Sequence, residues 1–409
     1  MGDDELIPHL FRTEYRKIVA VLCRHFGFAQ VETAEDIASE TFLTATQSWG
    51  IEGLPKNPVA WLYNVAKNKA INFLQRKALY TNKIAPAIKS QAGETVEINI
   101  DLSPQNINDS QLQMMFVVCH PLLSQEAQVG LSLRVLCGFG IEEIADAFLS
   151  NKETINKRLQ RAKEKLREEK ATIELPPADA LEERLAAVLT TIYLLFNEGY
   201  YSLSQNKKLR KELCFEAMRL CTMLVENAYT NKPQVNALLS LMCFHASRFD
   251  ARIGKNGEQV LYEEQDDSLW NADLISKGGY FLQCSAAGDN ISKYHLEAGI
   301  AYWNTRKEDT KEKWENILQL YNRLLQIEYS PIAALNRTYA LSKANSKQEA
   351  IIEAEKLQLT GNRFYFALLG ELYAGINNVT ARQHFSSAYV LAKTAADKLA
   401  IEKRMEKLL

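Results

Sequence analysis

The feature that most constrains this chain is its helical periodicity, which runs almost from end to end. Apolar residues recur at three- and four-residue spacing, and alternating runs of β-branched residues are absent. Glycine and proline are sparse, 18 and 10 residues in a chain of 409. The pattern predicts an all-α protein, and the length predicts two or three domains. Two polar or proline-marked breaks interrupt it. Residues 78–110 carry Pro86, Gly93 and Pro104 with no periodic apolar stripe, which predicts a flexible linker. Pro176-Pro177 cannot continue a helix and predicts a second boundary. The chain therefore divides into blocks at 5–77, 111–170 and 181–409.

Within the middle block, Gly140 to Arg167 has the pattern of a helix-turn-helix. Ile141, Ile144, Ala145 and Phe148 give the first helix one apolar face, and Leu149-Ser150-Asn151 makes a short turn. Ser150 and Glu153 stand as an S-x-x-E capping box for the next helix. That helix buries Ile155, Leu159, Ala162 and Leu166 and carries Lys152, Lys157, Arg158, Arg161, Lys163, Lys165 and Arg167 on its other faces. Lys152, Glu153, Thr154 and Asn156 at its start are polar groups suited to base edges, and the basic groups behind them suit phosphates. The competing reading is a surface helix with a solvated charged face.

The first block has two signals of its own. Ala34-Glu35-Asp36-Ile37-Ala38-Ser39-Glu40-Thr41-Phe42 places Asp36, Glu40 and Leu43 on neighbouring turns of one helix. Further on, Ala60 to Lys77 contains no acidic residue, while Asn64, Asn68 and Asn72 form one polar stripe at four-residue spacing. Lys67, Lys69, Arg76 and Lys77 add charge, and Trp61, Tyr63 and Phe73 interleave rings. Basic and aromatic groups together suit a single strand, charge for its backbone and rings for unstacked bases. Taken singly, each ring reads more simply as core.

Composition excludes several classes. A formal net charge of −2 rules out a protein that coats nucleic acid over its whole surface. The segment Met1 to Pro8 is acidic and lacks the positive n-region of a secretory signal, and no apolar run approaches a membrane span. A cytoplasmic protein with no membrane partner is therefore expected. The seven cysteines are scattered without a C-x-x-C pair and read as reduced core thiols. Cys119-His120 has no further ligand at metal spacing, so neither metal nor cofactor is expected.

The order of the two blocks and their linker resembles a bacterial sigma factor of the extracytoplasmic-function (ECF) class. The segment AEDIASETFLTA is similar to the part of region 2 that docks on core RNA polymerase, which implies polymerase contacts from Asp36, Glu40 and Phe42. The segment NPVAWLYNVAKNKAINFLQRK is similar to the part that melts and reads the −10 element. It implies −10 contacts from Asn64, Lys67, Asn68, Asn72 and Arg76. The helix-turn-helix resembles the −35 reader of region 4, which implies contacts from Lys152, Glu153, Thr154, Asn156, Lys157, Arg158 and Arg161. The resemblance implies core RNA polymerase and promoter DNA as partners and no catalysis. The rival class is a DNA-binding regulator or scaffold that never touches polymerase. It needs neither the asparagine stripe nor the docking segment.

Residues 181–409 exceed the minimal class and resemble the C-terminal extension of its ECF42 subgroup, which is tetratricopeptide-like (TPR-like). The residues that carry this are YLLFNEGY from Tyr193, EEQD with SLW from Glu263 to Trp270, and SPIAALNR from Ser330. Periodicity independently predicts helical pairs, with starts at Pro331 and Arg363 lying 32 residues apart, near the repeat length of about 34. Asn197, Glu198, Asp266, Asn336 and Arg337 read as polar groups within apolar helices. Three roles stay open for them: an internal hydrogen-bond network, a pocket for a peptide, protein or small ligand, or a surface that docks on the sigma blocks or the polymerase. The H-x-x-x-C-x-x-C pattern of a zinc anti-sigma domain is absent.

Overall fold

A computed structural model describes residues 3–84, 99–201, 207–252, 260, 262–393 and 395–408. Among them there is helix and no strand. The chain forms two compact units, residues 1–224 and 225–409.

The first unit opens with α1 (Asp3–Phe26), α2 (Val31–Glu52) and α3 (Pro58–Ile84). It continues through α4 (Pro104–Val118), α5 (Gln125–Leu131), a π-helical turn Ser132–Leu136, α6 (Ile141–Ala147), α7 (Lys152–Glu168), α8 (Leu181–Tyr201) and α9 (Lys207–Glu226). Its organising element is α1, whose Tyr15, Ile18, Val19 and Leu22 are almost wholly buried. Around α1 pack α2, α3, α4 and the π turn, so the first and middle blocks share a core. A buried side chain of this size contributes roughly 1.5–3 kcal/mol through the water it sheds.

Three boundaries differ from the sequence reading. The linker is shorter at both ends. Helix α3 runs on to Ile84, because Ala78 to Ile84 contains no glycine or proline to stop it. Helix α4 begins at Pro104, where proline sits at the first helical position and the Ser103 hydroxyl accepts from Asn106 N. The linker residues 85–98 lie outside the described residues. The third difference concerns α8 and α9, which sequence assigned to the C-terminal domain. They lie in the first unit with the helix-turn-helix, and α8 packs on α4 and α5. The di-proline interrupts the helical path between Glu168 and Leu181 without ending the compact unit. The reason is apolar: Leu185, Val188, Leu189, Ile192, Leu195 and Phe196 on α8 are all buried.

The second unit holds α10 (Pro233–Ala246), α11 (Phe249–Arg252), α12 (Ala272–Ser285) and α13 (Lys293–Trp303). These are followed by α14 (Lys311–Ile327), α15 (Pro331–Ala344), α16 (Lys347–Lys356), α17 (Arg363–Tyr373), α18 (Asn378–Leu391) and α19 (Ala395–Glu406). From α13 to α19 each helix packs on the next. Trp314, Ile317, Leu335, Leu341, Tyr365 and Leu369 belong to one continuous core there. Helices α14 to α17 start with an N-cap side chain on a backbone N–H, from Thr310, Ser330, Ser346 and Asn362. Gly278 on α12 has no room for a side chain, since a Cβ there would stand 2.6 Å from the Phe244 ring.

Candidate functional site

The helix-turn-helix is built as its sequence pattern implied, with one shift. Helix α6 ends at Ala147; two residues on, Leu149 takes the left-handed conformation (φ 47°), and Ser150 N donates to Ala145 O at 2.8 Å. That conformation is uncommon for leucine and moves the start of the next helix by one residue. The N-cap of α7 is Asn151, whose side chain accepts from Thr154 N at 2.8 Å. The Ser150/Glu153 capping box is therefore not formed. Ile155, Leu159, Ala162 and Leu166 are buried as expected.

Of the proposed −35 contacts, Lys152, Glu153, Thr154, Asn156, Lys157 and Arg161 are exposed. Lys152 pairs with Glu142 of α6. Arg158 is half-buried, with its guanidinium over the Phe148 ring at 5.6 Å. The far end of α7 behaves differently. Lys163 is buried and reaches Glu35 of α2 at 2.6 Å, while Arg167 pairs with Glu32. Arg134 adds a second cation 3.6 Å from Glu35. This pairing of α7 with α2 joins residues about 130 positions apart, which no local pattern could reveal.

On α3, Asn64, Asn68 and Asn72 are all exposed along one stripe, as is Arg76. Lys67 is half-buried and donates to Asn99 at 3.1 Å, in the segment that leads into α4. The three rings face inward. Trp61 meets Trp49 edge-on at 5.3 Å, Phe73 packs on Phe26, and the Tyr63 hydroxyl donates to Glu14 at 2.5 Å. Burial, and then that contact, hold the Tyr63 phenol well above its ordinary pKa. The aromatic part of the single-strand pattern is thus half-buried against neighbouring helices, and the polar stripe is what faces solvent.

On α2, Asp36 and Glu40 are exposed, and Glu40 pairs with Lys69 of α3 at 3.1 Å. Phe42 does not join them. It is 4% exposed and meets Phe11 of α1 edge-on at 5.1 Å, so it cannot contact a protein partner directly. The apolar residue on the outer face is Leu43, 58% exposed. Its spacing of seven from Asp36 and three from Glu40 was the available signal.

The polar residues singled out further along do not form one cluster. Asn197 and Glu198 are half-buried in α8, and burial raises the Glu198 carboxyl above its ordinary pKa. In the second unit Asp266 is exposed, outside any α-helix, and caps the short turn Asp267–Leu269 through Ser268 N. Asn336 is exposed, whereas Arg337 donates to Asn322 at 2.7 Å and stands 3.6 Å from Glu353. Close to Asp266 in sequence, the buried Arg248 lies over the Tyr262 and Trp270 rings, and Tyr262 accepts from the buried Lys313 at 2.9 Å. An open depression lined by Asp309, Lys311, Trp314, Lys343, Asn345, Ser346 and Glu349 carries both signs of charge. Among the described residues no group of three or more His, Cys, Asp or Glu could hold a metal, and no helix is long and apolar enough to cross a membrane.

Comparison with known proteins gives three positive findings. Residues 10–79 match sigma-70 region 2. Residues 184–286 match a family of unknown function (DUF6596), so that family's span starts within α8. The chain is 31% identical over 386 residues to uncharacterized protein R00370 of Rhizobium meliloti (strain 1021), covering 93% of this chain and 91% of the relative. No solved structure matches. A sigma-70 region 2 implies binding to core RNA polymerase and promoter DNA and a part in transcription initiation, in a family that is not one of enzymes. The chain therefore belongs, over nearly its whole length, to the family of the Rhizobium meliloti protein, and its residues 10–79 match sigma-70 region 2.

Proposed function

We propose that this protein is an ECF-type sigma factor that directs core RNA polymerase to a defined set of promoters. Asp36, Glu40 and Leu43 on α2 form the docking stripe for the polymerase. Asn64, Asn68 and Asn72, flanked by Lys67 and Arg76, meet the unwound −10 strand. Lys152, Glu153, Thr154, Asn156, Lys157 and Arg161 on the first turns of α7 enter the −35 major groove. Arg158 borders that groove while stacked on Phe148. The helices of the second unit form a TPR-like repeat that modulates the sigma segments and offers a surface to a peptide, protein or small ligand.

The observation that carries this reading is the exposed asparagine stripe of α3. The helix bears it on a face that has no carboxylate between Ala60 and Lys77, while its rings pack half-buried against neighbouring helices. A duplex-binding regulator has no use for a second polar, anion-tolerant helix of this kind. The test is co-purification with core RNA polymerase. The wild-type chain should be retained, and a D36K/E40K double variant should be retained at least about tenfold less, the loss of roughly 1.4 kcal/mol. Equal retention of both would overturn the docking assignment.

A further inference from the structure

Helices α8 and α9 both bear on the first unit's earlier helices. On α1, Arg12 and Arg16 stand one turn apart. On α9, Glu212 and Glu216 do the same, and the four form two rungs, Arg12–Glu212 at 2.5 Å and Arg16–Glu216 at 2.5 Å. The inner rung is nearly closed to solvent, with side chains 7% and 17% exposed. The other guanidinium nitrogen of Arg12 reaches Glu143 of α6 at 2.7 Å, and the second oxygen of Glu143 accepts from Gly140 N. Arg219 of α9 holds Glu216 at 2.8 Å and donates to Leu136 O at 2.8 Å. Three parts of the chain therefore meet at one junction: region 2 through α1, the middle block through Leu136 of the π turn and Glu143 of the helix-turn-helix, and the extension through α9. On α8, Arg184 donates to Phe116 O, and Thr191 donates to the buried Gln128 at 2.9 Å.

The same unit ties the far end of α7 to α2. Lys163 and Arg167 occupy Glu35 and Glu32, and Glu35 is the residue next to Asp36 of the proposed docking stripe. Region 4 thus lies beside the surface that a polymerase helix, about 10 Å wide, would have to approach. A partner that binds an open arrangement better shifts the chain toward it, and its apparent affinity falls with the fraction of chains that are closed.

We propose that α8–α9 is an intramolecular clasp that holds region 2 and the helix-turn-helix closed, and that polymerase binding requires its release. The gating role rests on the sigma-factor reading; the clasp itself does not. Helix α9 holds α1 through two charged pairs whose acidic partners, Glu212 and Glu216, both lie on α9, so the release can be set by substitutions in the extension alone. None of these residues belongs to the docking, −10 or −35 surfaces.

The experiment uses the full chain and two variants, E212Q and E212Q/E216Q, with circular dichroism and melting to establish that each folds. The outer rung is about one-third exposed, so E212Q keeps the test sound even if the double variant fails to fold. Hydrogen exchange in α1 and α6 reads the clasp, and titration with core RNA polymerase reads the gate. The expected result is faster exchange in both helices together with a rise in polymerase affinity, up to about fivefold for the outer rung, the most that a partly exposed pair is worth. Unchanged exchange in the folded variants overturns the clasp. Faster exchange with unchanged or weaker polymerase affinity overturns the gate and leaves α8 and α9 a structural support. Failure of every form, wild type included, to bind polymerase while exchange still responds overturns the sigma reading and the gate with it.

Discussion

Replacing Asn151 with Ala should loosen the start of the helix proposed to read DNA, whereas replacing Ser150 with Ala should not. The Asn151 side chain accepts from Thr154 N at 2.8 Å, one of the backbone donors that the first turn of α7 cannot satisfy internally. Losing such a cap costs about 1 kcal/mol. The Ser150 hydroxyl makes no comparable contact; its backbone N–H, which a Ser-to-Ala change leaves in place, closes the turn onto Ala145 O. That substitution should fall within about 0.5 kcal/mol of zero. The assay is hydrogen exchange of the amides from Thr154 to Leu159 in the folded chain. Local opening should be about fivefold more frequent in N151A, the factor corresponding to roughly 1 kcal/mol. N151D retains an acceptor at the cap and should exchange at the wild-type rate. If S150A sped exchange and N151A did not, the cap assignment would be wrong and the sequence-level capping box right.

Three further outcomes follow from named contacts. Phe42→Ala should destabilise the first unit by about 3–5 kcal/mol, as a buried phenylalanine truncation does, whereas Leu43→Ser should leave the melting temperature nearly unchanged and weaken retention on core polymerase. Equal melting losses in the two would show that the inner and outer faces of α2 are misassigned. Gly278→Ala forces a Cβ against the buried Phe244 ring and should cost about 1–3 kcal/mol or more, seen as a lower melting temperature of the second unit. The third outcome is pH-dependent. Burial raises the Glu216 carboxyl, but Arg219 and Arg16 together outweigh it and leave its pKa below the ordinary 4.5. A depressed folded-state value means that the group stabilises the fold above its ordinary pKa and loses that contribution as pH falls through the lower one. The melting difference between wild type and E216Q should therefore be full at neutral pH and shrink below about 4.5; a difference constant with pH would refute the coupling.

Much of the architecture was legible because helix periodicity is a local property. The pairs α14 with α15 and α16 with α17 lie within a few residues of where apolar spacing and the starts at Pro331 and Arg363 put them. What escaped notice depends on neighbours distant in sequence. Phe42 and Leu43 are adjacent apolar residues about 100° apart on one helix, and only the position of Phe11 decides which faces inward. Ser150 and Asn151 are both good caps, and the left-handed Leu149 decides between them. The di-proline looked like a domain boundary because it breaks a helix, yet Arg16 and Glu216, 200 residues apart, lie within one unit. Asp266 read as a polar group within an apolar helix, whereas it lies outside any α-helix and caps a short turn in solvent. At the candidate site, the asparagine stripe and the exposed first turns of α7 were readable from spacing. The attachment of Lys163 and Arg167 to α2 was not.

The measurement that bears most directly on function is run-off transcription with purified core RNA polymerase and the full chain on fragments of the source genome. A sigma factor should produce discrete transcripts that core enzyme alone does not. Alanine substitution of Asn64, Asn68 and Asn72 together should abolish them while duplex binding through α7 persists. Sequence-specific duplex binding with no transcript above that of core enzyme alone would contradict the assignment and identify the chain as a DNA-binding regulator.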